Sequence, residues 1–272
     1  MARPLSTSTT RWTFTSRHAC CRQFEKGSDM LVEFLARLFG GAQGAGENTA
    51  PQFVRLAHPV SDRPDRPAKF GRSANWLAVR SADPQAVVDA LGLEDVQASN
   101  WASGLKMTQE MSAAGFGKLA INPAAFVTPV IDGWVAVTTR HLGPVDELSV
   151  VEVEEVLEQL SANFGEAQYF GAFPGAGYIA WYRARDGKLT RGLTYVGQGD
   201  GFLDNFGETT PEEIELGFGD LTGREPEEMQ DLTPAEDDHL RVAELWSFNP
   251  DLLEDREDLD KSTGLLGHFP EG

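Results

Sequence analysis

Two Asp-Gly pairs constrain this chain more than any other feature. Asp132-Gly133 and Asp186-Gly187 each stand between runs rich in β-branched and aromatic residues, FVTPVIDGWVAVTT over 126–139 and the stretch Tyr178–Val196. A two-residue turn of this kind takes positive φ at both positions and matches the twist of the flanking strands. Each run is therefore expected to fold back as an antiparallel hairpin. Centring the second turn at Asp186-Gly187 sets Trp181 opposite Gly192 and Tyr178 opposite Tyr195, with a large ring covering a bare glycine. Pro129 has no N–H to give to a ladder, which places its strand at a sheet edge or beside a bulge.

Helices are expected between these strands. Trp76–Val79 reads as a buried strand, and Asp83-Pro84 follows as an N-cap with proline at the first helical position. Val87, Val88 and Leu91 give that helix its apolar stripe, and Gly92 ends it. A second strand is expected near 95–100, with a short helix around Leu105, Met107 and Met111. Ser149 and Glu152 form a capping box for the longest helix, whose stripe is Val153, Val156, Leu157, Leu160 and Phe164. Glu152, Glu154, Glu155 and Glu158 are expected to face water, and Gly165 to close the helix. Thr210-Pro211-Glu212-Glu213 and Thr233-Pro234-Ala235-Glu236 are two further helix starts, the second leading to Leu240, Ala243 and Trp246 on one face. The fold class is α+β: a mixed or antiparallel sheet with hairpins, packed by helices. A weak internal echo, WLAV-helix-LGLEDVQ against WVAV-helix-FGEAQYF, also allows a reading as two β-α-β units.

Charge divides the chain. The 272 residues carry 23 Lys+Arg and 42 Asp+Glu, a net charge of −19, and 41% of them are hydrophobic, enough for a core. Residues 197–272 alone hold 4 basic and 22 acidic side chains. A chain of this sign lacks the basic field that nucleic acid or an anionic bilayer surface requires. No apolar run approaches the length of a membrane span. Residues 1–29, with Arg3, Arg11, Arg17 and Arg22 among Ser and Thr, read as a disordered leader or as sequence upstream of a start at Met30. Residues 30–41 read as a short amphipathic helix and 42–73 as a linker. Residues 74–252 form a single α+β body, and 253–272 an acidic solvated tail. The two cysteines, Cys20 and Cys21, are adjacent and lie in the leader, so the body needs no oxidising compartment and the cytoplasm is the expected location.

Recognisable chemistry is scarce. The histidines (His18, His58, His141, His239 and His268) have no zinc-ligand spacing, and HExxH, CxxC, GxSxG, SxxK and Walker A patterns do not occur. No metal and no cofactor is expected. The glycine-rich stretches Gly171–Gly177 and Gly197–Gly201 lack the helix that a dinucleotide cradle needs. Asp200, Asp204 and Glu208 depart from the calcium-loop register. His141, at a strand end after Arg140, could form a small polar site with Arg140 and a carboxylate such as Asp146. An exposed loop histidine is the simpler explanation of His141. Trp76, Trp101, Trp134 and Trp181 are expected in the core.

The segments NWLAV, Asn100-Trp101 with Gly104, FVTPVIDGW, FGEAQYF and LRVAELWSFNPDLL resemble those of a family of bacterial proteins of uncharacterised function, over roughly residues 70–252. The resemblance implies a soluble bacterial protein whose ordered body ends near residue 252, and it brings no catalytic residues. From the residues themselves, the expected role is non-enzymatic binding of a protein partner, a basic one. Immunity proteins, which neutralise a basic toxin domain by electrostatic complementarity, are the type. The alternatives are an enzyme with an unfamiliar carboxylate or histidine site, and a scaffold or oligomerisation module using the 30–39 helix.

Overall fold

The structure, a computed structural model, describes residues 59–109, 124–140, 142, 149–197 and 201–270. The leader, the 30–41 helix and the linker up to residue 58 lie outside the described residues. The strands are β1 (Asn75–Val79), β2 (Glu94–Asn100), β3 (Ala124–Val127), β4 (Val135–Thr139), β5 (Glu166–Phe173), β6 (Tyr178–Arg185), β7 (Lys188–Val196), β8 (Gly201–Gly207) and β9 (Thr263–His268). The helices are α1 (Pro84–Leu91), α2 (Trp101–Gln109), α3 (Ser149–Phe164), α4 (Pro211–Glu215) and α5 (Asp238–Trp246). All nine strands join one sheet in the order β2-β9-β3-β4-β1-β5-β6-β7-β8, and every neighbouring pair is antiparallel.

Both Asp-Gly turns form. Asp132 and Gly133 have φ of 52° and 84°, and Asp186 and Gly187 have 49° and 78°, the positive values such turns demand. The register of the second hairpin differs from the simple count. A bulge between Arg183 and Ala184 shifts the pairing by one residue, so Tyr182 rather than Trp181 opposes Gly192, and Ile179 rather than Tyr178 opposes Tyr195. A Cβ on Gly192 would lie 2.5 Å from the Tyr182 ring, so the ring-over-glycine pair exists with a different ring. Likewise β3 is not an edge strand: it lies between β9 and β4. Pro129 sits beyond its end, where the Thr128 hydroxyl takes the place of a carbonyl and accepts from the Ala136 N–H at 3.0 Å.

Four antiparallel steps separate β1 from β2, and two separate β4 from β5, so each helix-linked pair runs in the same direction. Neither pair is adjacent. Strands β4, β3 and β9 intervene in the first crossover and β1 in the second. The two faces of the sheet are then covered by different parts of the chain. Leu77, Val79, Val127, Val135 and Val137 pack under α1 and α3 through Val87, Val88, Leu157 and Leu160. On the opposite face Trp76, Phe126, Phe170, Trp181 and Leu193 meet the C-terminal region through Val242, Ala243 and Trp246. Trp76 stacks on Phe170 with centroids 4.5 Å apart. Alternation along each strand accounts for this split.

The outer boundaries of the body require correction. Residues 253–272, read above as a solvated acidic tail, include β9, which pairs with β2 on one side and β3 on the other. Leu266 is fully buried there. Acidic composition dominates 254–260, but TGLLGH after it supplies a short apolar strand. Similarly, 59–73 is not a bare linker. Asp65 accepts from the backbone N–H groups of Trp101 and Ala102 at 2.8 and 3.1 Å, capping α2, and Phe70 is buried. Thr233-Pro234 starts no helix. Residue 238 does, after Asp238 takes the Ala235 N–H at 2.7 Å. Because β9 lies inside the sheet, a chain ending at residue 260 would leave β2 without a neighbour and β3 paired on the β4 side alone. Such a truncation is expected to lose cooperative thermal unfolding by circular dichroism, whereas loss of a solvated tail would leave the transition unchanged.

Candidate functional site

Of the expected trio, Arg140 alone is described; His141 and Asp146 lie outside the described residues. Thr139 pairs with Asn75, which in turn pairs with Gly171. Arg140 therefore leaves β4 at the end of the sheet where β5 runs into the Gly171–Gly177 turn and β7 ends before Gly197. Its guanidinium is half-buried, and burial draws its pKa below the ordinary arginine value. Among the described residues no acceptor reaches its Nε.

Gly177 and Gly197, one from each glycine-rich stretch, meet at this end. The Gly197 N–H donates to the Gly177 carbonyl at 3.1 Å, and a Cβ on Gly177 (φ 64°) would come within 3.0 Å of the Gly197 Cα. Close backbone approach thus explains both glycines. Beside them a cavity of about 290 Å³ opens between the strand ends and the segment 233–236. Ala172, Ile179, Tyr195 and Pro234 give it apolar walls, with Thr233 and Glu236 as polar lining. Tyr178 also lines it, and burial pushes its phenol pKa above the ordinary value.

A second polar group was not expected from the sequence. On the α3 face of the sheet, the Tyr182 hydroxyl donates to Asp204 at 2.9 Å and lies 2.7 Å from the Thr194 hydroxyl. Glu154 of α3 is half-buried rather than solvated, and burial, reinforced by the charge of Asp204, pushes its carboxyl up to about 7. Burial likewise raises Asp204. The helical period alone places Glu154 on the wet face; the nearby charge of Asp204 on β8 cannot be foreseen from the helix sequence.

Buried ion pairs organise the other face. Arg191 (1% exposed) and Glu213 (0%) are joined by Nε donating to both carboxylate oxygens at 2.9 Å. Glu213 also accepts from Trp181 Nε1 at 2.8 Å and from the Thr210 N–H at 2.8 Å, within the expected capping box. The Nη1 of Arg191 donates to Asn205 Oδ1 at 2.7 Å, and Asn205 Nδ2 donates to the carbonyls of Leu221 and Arg224. A smaller cluster holds Glu166 against Arg183 (2.6 Å), Arg185 (3.1 Å) and Gln168 (2.8 Å). Burial works against the Glu166 carboxylate, but these donors outweigh it and leave its pKa below the ordinary carboxylate range.

His239 is buried, with Nε2 3.1 Å from the Gly71 carbonyl, and burial lowers its pKa. Among the described residues, no group of three or more His, Cys, Asp or Glu side chains is arranged to hold a metal ion. No described helix is long and apolar enough to cross a membrane. In comparisons with protein-family models, curated proteins and solved structures, nothing matches this chain.

Two outcomes follow from these groups. Removing one partner of a buried ion pair strands the other charge, so Arg191→Met should cost about 3–5 kcal/mol in chemical denaturation. The double variant Arg191→Met/Glu213→Leu should recover part of that loss. For Glu154, a folded-state pKa above the unfolded one means that the folded state binds more protons between the two values, so stability falls as pH rises from about 5 to about 7. His239 acts in the opposite sense, because its lowered pKa makes stability rise with pH below the ordinary histidine range. Comparing wild type with Glu154→Gln isolates the carboxyl. The variant's melting temperature should decline less than that of the wild type over this window.

Proposed function

We propose that the protein acts by binding a basic protein partner, through the acidic surface formed by residues 201–260. The observation that carries this reading is the placement of the cations in that region. Arg224, Arg241 and Arg256 are each held by carboxylates of this chain: Arg224 by Asp231 at 3.1 Å, Arg241 by Asp238 at 2.7 Å, and Arg256 by Asp132 at 2.8 Å and Asp258 at 2.6 Å. Around them Glu215, Glu227, Glu236, Asp237, Glu244 and Asp255 are exposed. Such a surface presents a field of one sign, which steers an oppositely charged protein and accelerates its encounter. The mode is that of an immunity protein covering a basic toxin domain.

An enzymatic reading draws on Glu154, whose pKa near 7 suits a general base. Neither Glu154 nor Asp204 lines the described cavity, however, so the raised carboxylates stand apart from that recess. The binding reading rests on the acidic surface and does not depend on them. The scaffold alternative rests on the 30–39 helix, outside the described residues.

The test is affinity capture at low salt with the full-length chain, followed by kinetics with the purified partner. Electrostatic steering predicts a basic partner whose association rate falls at least about ten-fold between about 0.05 M and about 0.5 M salt. A captured partner that is not basic, or an association indifferent to salt, would count against the reading.

A further inference from the structure

Resting on that reading, we infer that the cavity between the glycine-rich turns and the 233–236 segment is the pocket that receives an arginine side chain of the basic partner. Three observations converge on this occupant.

Size comes first. At about 290 Å³ the cavity lies at the lower limit of small-molecule clefts, room for one long side chain rather than for a nucleotide or a larger cofactor. The lining is the second. Ala172, Ile179, Tyr195 and Pro234 offer an apolar channel, and Glu236 is the charged side chain among the described residues that line it. An arginine has the matching profile: an apolar stem that gains from burial, and a planar cation that pairs with a carboxylate and stacks on an aromatic face. An apolar side chain would gain nothing from the carboxylate at the opening, and an acidic one would be repelled by it. The third is the setting. Glu236 is exposed beside exposed Asp237, within the acidic region itself, so the field that draws in a basic protein is continuous with the opening.

The pocket is also built on firm supports. Tyr195 packs edge-on against Phe202, with centroids 5.1 Å apart. The segment 233–236 is tied down by the Asp238 carboxylate on the Ala235 N–H. Ala172 and Ile179 are paired across β5 and β6. A partner side chain would enter a preformed recess, which keeps the ordering cost of binding low.

The experiment uses the ¹⁵N-labelled full-length chain and an arginine-rich decapeptide as the probe. Amide shifts are expected to concentrate at Ala172, Gly177, Ile179 and Tyr195. Glu236→Gln and the cavity-filling Ala172→Met should each weaken peptide binding by about ten-fold, equivalent to about 1.4 kcal/mol. Glu254→Gln/Glu257→Gln, on the acidic surface but outside the cavity lining, should change it by less than about two-fold. The folded state of each variant is checked by its amide spectrum before titration. If the peptide binds with salt-dependent affinity yet ignores Glu236→Gln and Ala172→Met, the pocket assignment fails while the acidic-surface reading stands. If no basic peptide binds, both fall. If the same amides shift with protein concentration in the absence of peptide, a second copy of this chain is the occupant and the proposal is overturned.

Discussion

The ion pair between Arg191 and Glu213 is the constraint around which the C-terminal half is arranged. Both side chains are almost wholly removed from solvent, a cost that only dense hydrogen bonding can offset. The surroundings supply it. Trp181, Thr210, Asn205 and the Phe206 carbonyl all contribute, so one carboxylate links the centre of the sheet to a helix start, and one guanidinium links it to the edge strand. Asn205 extends the network to the carbonyls of Leu221 and Arg224. Apolar burial of Leu221, Val242, Ala243 and Trp246 holds the acidic region on the sheet against the repulsion among its own carboxylates. The ion pair adds direction, because a single internal cation binds several of the loops at once.

The two faces of the sheet are held by different physics. Under α1 and α3 the contacts are largely aliphatic, and the polar exception, the Tyr182–Asp204–Glu154 group, sits toward the β8 edge. The opposite face carries large rings, with Phe70, Phe170 and Phe248 gathered around Trp76 and Trp246 beneath the Arg183 guanidinium at 5.0 Å. Rings that size fill the wide gap left by short helices and irregular segments, where α5 and α2, of nine residues each, are the longest described helices on that face. The irregular C-terminal segments can therefore close a core without forming a regular layer.

How much of this was legible in the sequence depends on the range of the interaction. Local signals read correctly: the Asp-Gly turns, the Asp83 cap, the Thr210–Glu213 box and the Val153/Leu157/Leu160 stripe all depend on residues a few positions apart. Non-local effects did not. The bulge at Arg183 that moved Gly192 under Tyr182, the partial burial of Glu154 within range of Asp204, and the insertion of β9 between β2 and β3 each depend on a partner far along the chain. TGLLGH is too short and too plain to announce a central strand, and the acidic run before it pointed toward solvent. For the site, the glycine-rich turns were visible as composition. That they meet beside a cavity depends on strand order, which no local pattern carries.

The position of β9 has a consequence for the order of assembly. Its neighbours β2 and β3 are made more than 130 residues earlier, yet neither can be flanked correctly until Thr263–His268 has been synthesised. During synthesis the first-made half of the sheet must wait with open hydrogen-bonding edges, the condition in which strands join wrong partners. The dense carboxylates of 201–260 emerge during that interval. Like charge on a nascent chain holds neighbouring copies apart, so the acidity read here as a recognition surface would also act as a solubilising sleeve until the last strand closes the sheet.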